Sequence, residues 1–205
     1  MRILLARHGQ TAANAAGRFQ GTLDFPLNAK GRKQAQQLAP LLAQYTPGKL
    51  FTSNLRRSIE TAAPTAHLLG IEPTASPVFR EYSWGILEGL SRSEIKEQHP
   101  VLFSQLDVNL RGAEIPQQEP LEQFRERLRQ GLALLLAEDN PCTVALVGHG
   151  RYLNALVVEF LGLDITGPWP FSFASAAVTL LEIQDDRRRL LQFNEECHLR
   201  GEQND

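Results

Sequence analysis

Cysteine is nearly missing from this chain: two in 205 residues, Cys142 and Cys197, far apart and in no CxxC spacing. Their scarcity argues against a thiolate metal site or a disulfide-built scaffold and suits a reducing compartment, with a single bridge between the two left open. Metal-ligand spacing is missing as well, since His8, His67, His99, His149 and His198 form no HxxxH or HExxH pair. No carboxylate cluster sits near the ends of the strand-like runs either, so neither metal nor cofactor is expected. Long apolar stretches are absent. No window approaches the ~18 apolar residues of a membrane helix, and the first apolar run is too short for a secretion signal. A cytoplasmic protein with no membrane partner is the expectation. Nor is one charge in excess: 21 basic and 23 acidic residues are scattered along the chain, for a formal net charge of -2. No basic face for nucleic acid follows, and any anion the protein binds is expected to be small and held locally.

The composition is that of a globular protein, 42% hydrophobic and 21% charged, in a length that fits one domain, 1–205. Oligomeric state, a homodimer included, stays open. Apolar strand-like runs (Ile3 to Ala6, Lys49 to Thr52, Thr143 to Val147, Ala177 to Ile183) alternate with helix-like stretches. That order predicts an α/β fold with a mostly parallel central sheet flanked by helices. Asp185 and Asp186 are read as turning Ala177 to Ile183 into a hairpin with Arg189 to Phe193, an antiparallel edge. Asn28 caps a helix that Pro40 is expected to kink or break. Ser53 stands before a helix over Leu55 to Leu69, with Gly70 as its stop. Leu121, Phe124, Leu128, Leu132, Leu135 and Leu136 form an amphipathic stripe ending at Asp139, Asn140 and Pro141. Residues from about 80 to 120 are less regular, with one short helix around Ser93 to Leu106, and read as an excursion over a sheet edge that covers the active site.

Chemistry enters where the apolar runs stop. The first ends in Arg7, His8, Gly9 and the third in Gly148, His149, Gly150. Ligands in open α/β sheets sit beyond the carboxyl ends of the strands, so the two histidines are candidates for one cleft, and the glycines let backbone approach an oxyanion. Arg56 and Arg57 fall in the first turn of a helix, where cations oppose the helix dipole by about 0.3 to 1 kcal/mol each and want a partner. A bound phosphate would be one; solvation helped by Glu60 is the other. In FREYSWGILEG, Glu81 and Glu88 stand among Phe79, Tyr82 and Trp84, where an apolar setting would raise a carboxyl's pKa and suit it to acid catalysis. Spacing does not choose between them.

Taken in order, LARHGQTAAN, GRFQGTLDFPLNAKGRKQA, SNLRRSIETA, FREYSWGILEG and VGHGRYLNAL resemble the histidine phosphatase superfamily, which includes cofactor-dependent phosphoglycerate mutases. The resemblance implies His8 as nucleophile, Arg7, Arg57 and a protonated His149 gripping the phosphoryl group, and Glu81 as proton donor. It implies Asn14, Gln20 and Gly21 in the phosphate pocket. The ending NEECHL is similar to small-molecule phosphatases of the family, metal-independent phosphoserine phosphatases among them, which makes His198 a substrate-binding candidate, with packing as the alternative. Two departures bear on substrate: Gln118, Glu119 and Pro120 replace a Gly-Glu-Ser segment, and Tyr82 to Gly85 lacks the arginine that follows the acid in mutases. The implied activity is metal-independent hydrolysis of a small phosphorylated metabolite through a phosphohistidine. Mutase activity and a catalytically silent phosphate-binding module are the alternatives.

Overall fold

The run Ile3 to Ala6 is apolar throughout because the strand carrying it is covered on both faces. In the computed structural model that strand, β1 (Arg2–Arg7), leaves none of the four more than 1% exposed. The structure describes residues 1–108, 114–137, 139, 142–163, 170–185 and 187–202. After β1 come α1 (Ala12–Ala15), α2 (Ala29–Gln44), β2 (Lys49–Thr52), α3 (Arg56–Leu69) and β3 (Thr74–Ala75). Two 3₁₀ turns, Pro77–Phe79 and Gly85–Leu87, lead to α4 (Arg92–Gln98), α5 (Pro100–Val108) and α6 (Leu121–Leu135). The chain then runs through β4 (Thr143–Gly148), α7 (Gly150–Leu161), β5 (Val178–Gln184), β6 (Arg187–Glu195) and a last 3₁₀ turn, Cys197–Glu202.

One mixed sheet results, in the order β3-β2-β4-β1-β5-β6. Strands β1 to β4 pair in parallel, while β5 runs antiparallel to β1 and β6 antiparallel to β5. The expected α/β class and antiparallel edge are therefore found, with Asp185 in a left-handed turn at φ 49 and Asp186 outside the described residues. Successive residues of β1 serve opposite faces. Leu4 and Ala6 join Leu38, Leu42, Leu50 and Ala62 in the core under α2 and α3. Ile3 and Leu5 join Phe124, Leu128, Tyr152 and Leu156 under α6 and α7. No helix among the described residues is long and apolar enough to cross a membrane.

Several local expectations change. The helix capped by Asn28, whose side chain accepts from the Gly31 amide, continues through Pro40. Both Pro40 and Gln36 are exposed, so water can satisfy the Gln36 carbonyl that proline leaves without an N–H partner. Ser53 does not cap α3; Leu55 holds that position with no side-chain bond, and Gly70 closes the helix in the left-handed conformation. The helix expected around 93–106 is two, divided at His99, the first opened by a capping box of Ser91 and Glu94. Neither Gln118 nor Glu119 caps α6, which starts at Pro120 without a side-chain cap; the expected terminators Asn140 and Pro141 lie outside the described residues. The two-residue strand β3 was too short to read in the sequence. Cys142 and Cys197 are both free and exposed, so the bridge left open is not made.

The loop after β1 is fastened to the start of α2. Asn28 donates from its backbone to the Gln10 carbonyl at 3.0 Å and from its side chain to Gln10 Oε1 at 2.9 Å. Gln10 in turn donates from its backbone to Gln34 Oε1 at 2.8 Å. The backbones meet so closely that a Cβ on Gly31 would lie 2.0 Å from the Gln10 oxygen, and one on Gly9 2.5 Å from the Gly31 oxygen. Both obstacles are main chain and cannot swing aside. Gly31→Ala is therefore expected to destabilise the fold by about 1–3 kcal/mol through overpacking, read from urea unfolding. A loss within error would mean that the loop and helix can separate freely.

Candidate active site

Parallel pairing aligns Arg7 of β1 with Gly148 of β4, and the His8 amide donates to the Gly148 carbonyl at 3.0 Å. Each strand ends one residue before a histidine, so sheet order alone brings His8 and His149 together, ring centroids 5.2 Å apart at 57°. His8 is buried and its Nδ1 lies 2.7 Å from the Gly9 oxygen. A carbonyl only accepts, so Nδ1 carries the proton and Nε2 the lone pair. Burial, then the charges of Arg57 and Arg7, hold His8 well below the usual histidine value. The ring is neutral at neutral pH.

Arg57, in the first turn of α3, is completely buried. Its Nη1 and Nη2 donate to the carbonyls of Leu23 and Gly21 at 2.6 and 2.7 Å, and its Nε donates to His149 Nδ1 at 3.2 Å. Burial lowers its pKa to about 10, against support from Glu81 and Asp24, so it stays a cation. Accepting from Arg57 fixes His149 as the tautomer protonated on Nε2, which donates to Ser53 Oγ at 2.7 Å. Burial and then Arg57 push His149 well below its usual value. The protonated His149 expected from the resemblance is thus not what this arrangement holds, because a cationic ring would set a donor against Arg57 Nε–H. His149 orients Arg57 from behind, and the Ser53 hydroxyl, freed from capping α3, orients His149.

Arg7 is anchored by an Nη1 bond to the Phe173 carbonyl, while its buried Nε has no partner among the described residues. Glu81 reaches the first turn of α7: Oε1 accepts from the amides of Tyr82 and Tyr152, both at 2.9 Å, and Oε2 from that of Arg151 at 3.1 Å. The apolar setting expected for an acid is replaced by three amide donors. Glu88 is a brace instead. Its Oε1 accepts from the Thr22 amide, the Ser83 hydroxyl and the Trp84 amide, each at 3.0 Å, and its Oε2 from the Thr22 hydroxyl at 2.9 Å. A side chain on Gly21, where φ is +48, would collide with this carboxylate at 2.0 Å. Asn14 closes a capping box with Thr11, whose hydroxyl also lies 2.8 Å from Gln20 Oε1.

These side chains converge on a cavity of about 320 Å³ lined by Arg7, His8, Asn14, Gln20, Gly21, Arg57 and Glu81. His149 lies just behind the wall. His198 does not line it; its Nε2 donates to the Ala176 carbonyl at 3.0 Å, the packed alternative. Sequence reasoning missed several lining residues: Arg18, Trp84, Arg92, Arg151, Asn154 and the stretch Phe171 to Phe173. Arg151 and Asn154 stand three apart on the helix after VGHG, a spacing that could have found them; nothing marked Phe171 to Phe173. Five guanidinium groups and one carboxylate line the space, a setting for a strongly anionic ligand. Among the described residues no three His, Cys, Asp or Glu side chains are grouped to hold a metal.

Comparison with known proteins places the chain in a family. Residues 3–196 match the family model of the histidine phosphatase superfamily, branch 1. Phosphoserine phosphatase 1 of Hydrogenobacter thermophilus is 27% identical over 199 residues, 97% of this chain and 94% of that protein. A protein of Escherichia fergusonii named "Probable phosphoglycerate mutase GpmB" is 30% identical over 91% of this chain and 87% of its own. Among solved structures, a mycobacterial glucosyl-3-phosphoglycerate phosphatase complexed with VO3 superposes with a TM-score of 0.85 at 30% identity, covering 95% of this chain and 99% of that one. With the family match running almost from end to end over the paired strand-terminal histidines, the chain belongs to the histidine phosphatase superfamily.

Proposed function

We propose that this protein is a metal-independent phosphomonoesterase acting through a phosphohistidine. The observation that carries the reading is His8: a neutral, buried ring locked through Nδ1 onto Gly9, its Nε2 lone pair kept for a cavity that Arg7 and Arg57 make positive. Nε2 attacks phosphorus in line with the ester oxygen. The P–O bond breaks as the N–P bond forms, and the guanidinium groups of Arg7 and Arg57 stabilise the charge spreading over the other phosphoryl oxygens. Glu81 in its acid form gives its proton to the leaving alkoxide. The proton belongs on Oε2, which accepts a single, longer bond, whereas Oε1 is engaged twice. As carboxylate, Glu81 then takes a proton from the water that cleaves the N–P bond, releasing phosphate and restoring His8. Asn14, Gln20 and Gly21 shape the phosphate pocket.

A small anionic metabolite in the cytoplasm fits as substrate. Beyond the phosphoryl position stand Arg18, Arg92 and Arg151, with Arg151 over the Trp84 ring at 5.5 Å. We assign Arg151, on the helix that follows His149 and stacked on the Trp84 wall of the cavity, to meet a substrate carboxylate. Phosphoserine is the first candidate, as the Hydrogenobacter relative's name also suggests. Trp84 and Arg92 come from the 80–120 excursion, consistent with its reading as cover for the site. Phosphoglycerate mutation is the second reading, supported by the Escherichia fergusonii relative.

The parent should turn over equally with and without chelator, His8→Ala should abolish turnover, and the parent trapped by denaturation should carry acid-labile phosphate on His8. Residual turnover without phosphohistidine would rule out the covalent route. Glu81→Gln should slow single-turnover hydrolysis of phosphoserine by about 10²- to 10⁴-fold, the worth of a general acid. It should slow p-nitrophenol release far less, since that phenolate leaves without a proton; equal slowing would remove Glu81 as the leaving-group acid. Phosphoserine should be hydrolysed with a higher kcat/KM than phosphoethanolamine, which lacks only the carboxylate. Arg151→Gln should erase a preference of about 10- to 100-fold, the scale of one charge-assisted hydrogen bond. No preference in the parent would refute the carboxylate contact, and isomerisation of 3-phosphoglycerate without phosphate release would favour the mutase.

A further inference from the structure

The nucleophile is held by a sheet, but the acid is not. Glu81 follows the 3₁₀ turn Pro77–Phe79 in an irregular stretch outside every strand, yet its oxygens must be set to within fractions of an ångström. The carbonyls beside it are gathered by one side chain, Arg127 on α6. Its Nη1 donates to the carbonyls of Val78 and Arg80 at 3.0 and 2.7 Å, and its Nη2 reaches the carbonyl of Glu81 itself at 3.4 Å. The Glu119 carboxylate takes the two remaining donors, Nε at 2.8 Å and Nη2 at 2.7 Å. All five N–H groups of the guanidinium are thereby used.

A second route leads to the carboxyl group. The Arg127 guanidinium lies 5.4 Å over the ring of Tyr152, the residue whose amide donates to Glu81 Oε1. Glu119 is itself held, its amide donating to the Ser83 carbonyl at 3.2 Å. The ion pair is mostly shielded, its side chains 18% and 15% exposed. A shielded guanidinium needs acceptors for its donors whatever its role, so what singles this one out is where those acceptors lie. This one grips the main chain on both sides of the acid and the ring beside the amide that holds its carboxyl oxygen.

We propose that Arg127, seated by Glu119, is a positioning residue for the general acid: it touches no reacting atom and sets where Glu81 presents its proton. This rests on the reading of Glu81 as the leaving-group acid. Lysine is no substitute, because a point ammonium with three donors cannot span carbonyls and a carboxylate in one plane.

The test measures single-turnover release from phosphoserine and from p-nitrophenyl phosphate for the parent, Arg127→Met, Arg127→Lys, Glu119→Gln and Glu81→Gln. A displaced acid should cost about 30- to 100-fold on phosphoserine and no more than about 3-fold on p-nitrophenol release, in Arg127→Met and Arg127→Lys alike. Glu119→Gln should show the same selectivity more weakly. Inhibition by vanadate, which reports the phosphoryl site, should stay near the parent's. A purely structural clamp would weaken both substrates and vanadate together, and that result, or no loss on phosphoserine, overturns the proposal. If Arg127→Met fails to fold, Arg127→Lys and Glu119→Gln decide by the same ratio. Should Glu81→Gln slow both substrates equally, the acid assignment falls and this proposal with it. A selective Glu81→Gln beside unselective Arg127 variants would remove only the positioning role.

Discussion

A guanidinium buried against main-chain carbonyls is the constraint around which this molecule is arranged. Burying a cation costs several kcal/mol unless it is surrounded by acceptors in good geometry, and Arg57 meets that demand by drawing in distant segments. The carbonyls of Gly21 and Leu23 turn toward it, which fixes the loop that floors the cavity. His149 presents Nδ1 to it, which fixes a tautomer and, through Ser53, the end of β2. The charge, undiluted by solvent, helps keep His8 neutral. Loop shape, imidazole state and the positive charge at the cavity wall are three results of one burial.

Three glutamates near one another in space divide the remaining work by what they accept. Glu88 takes bonds from Thr22, Ser83 and Trp84 and ties the cavity floor to its wall. Glu119 holds the fork of Arg127. Only Glu81 lines the cavity. Residue type is identical in all three, so the division is made by the donors each carboxylate meets: amides at Glu81, amides and hydroxyls at Glu88, a guanidinium at Glu119.

That division explains what the sequence disclosed and what it withheld. Strand runs ending in a histidine and a glycine were legible because a strand covered on both faces must be apolar and must stop being so where it meets a ligand. Their adjacency was a matter of sheet order, β4 beside β1, which the topology of parallel sheets made reasonable. Glu81 and Glu88 were indistinguishable by spacing because each sits in irregular chain, where no periodicity assigns a face. The neutral state of His149 was hidden for another reason: it depends on a hydrogen bond from Arg57, 92 residues away. The tie between the Gln118-Glu119-Pro120 departure and the acid was hidden likewise, since Arg127 looked like the polar face of an ordinary amphipathic helix.

The central position of β1 also has a consequence for how this protein comes into being. Its partners, Thr143 to Gly148 on one side and Val178 to Gln184 on the other, are made long after it, and Arg7 is anchored on Phe173. During synthesis β1 therefore waits, unpaired on both edges until Thr143 to Gly148 emerges and on one edge until Val178 to Gln184 does. Such distant pairings make folding slow and leave sticky edges open meanwhile. They also mean that the cluster of Arg7, His8, Arg57 and His149 at the cavity is fully fastened only once Phe173 and Val178 to Gln184 have joined β1.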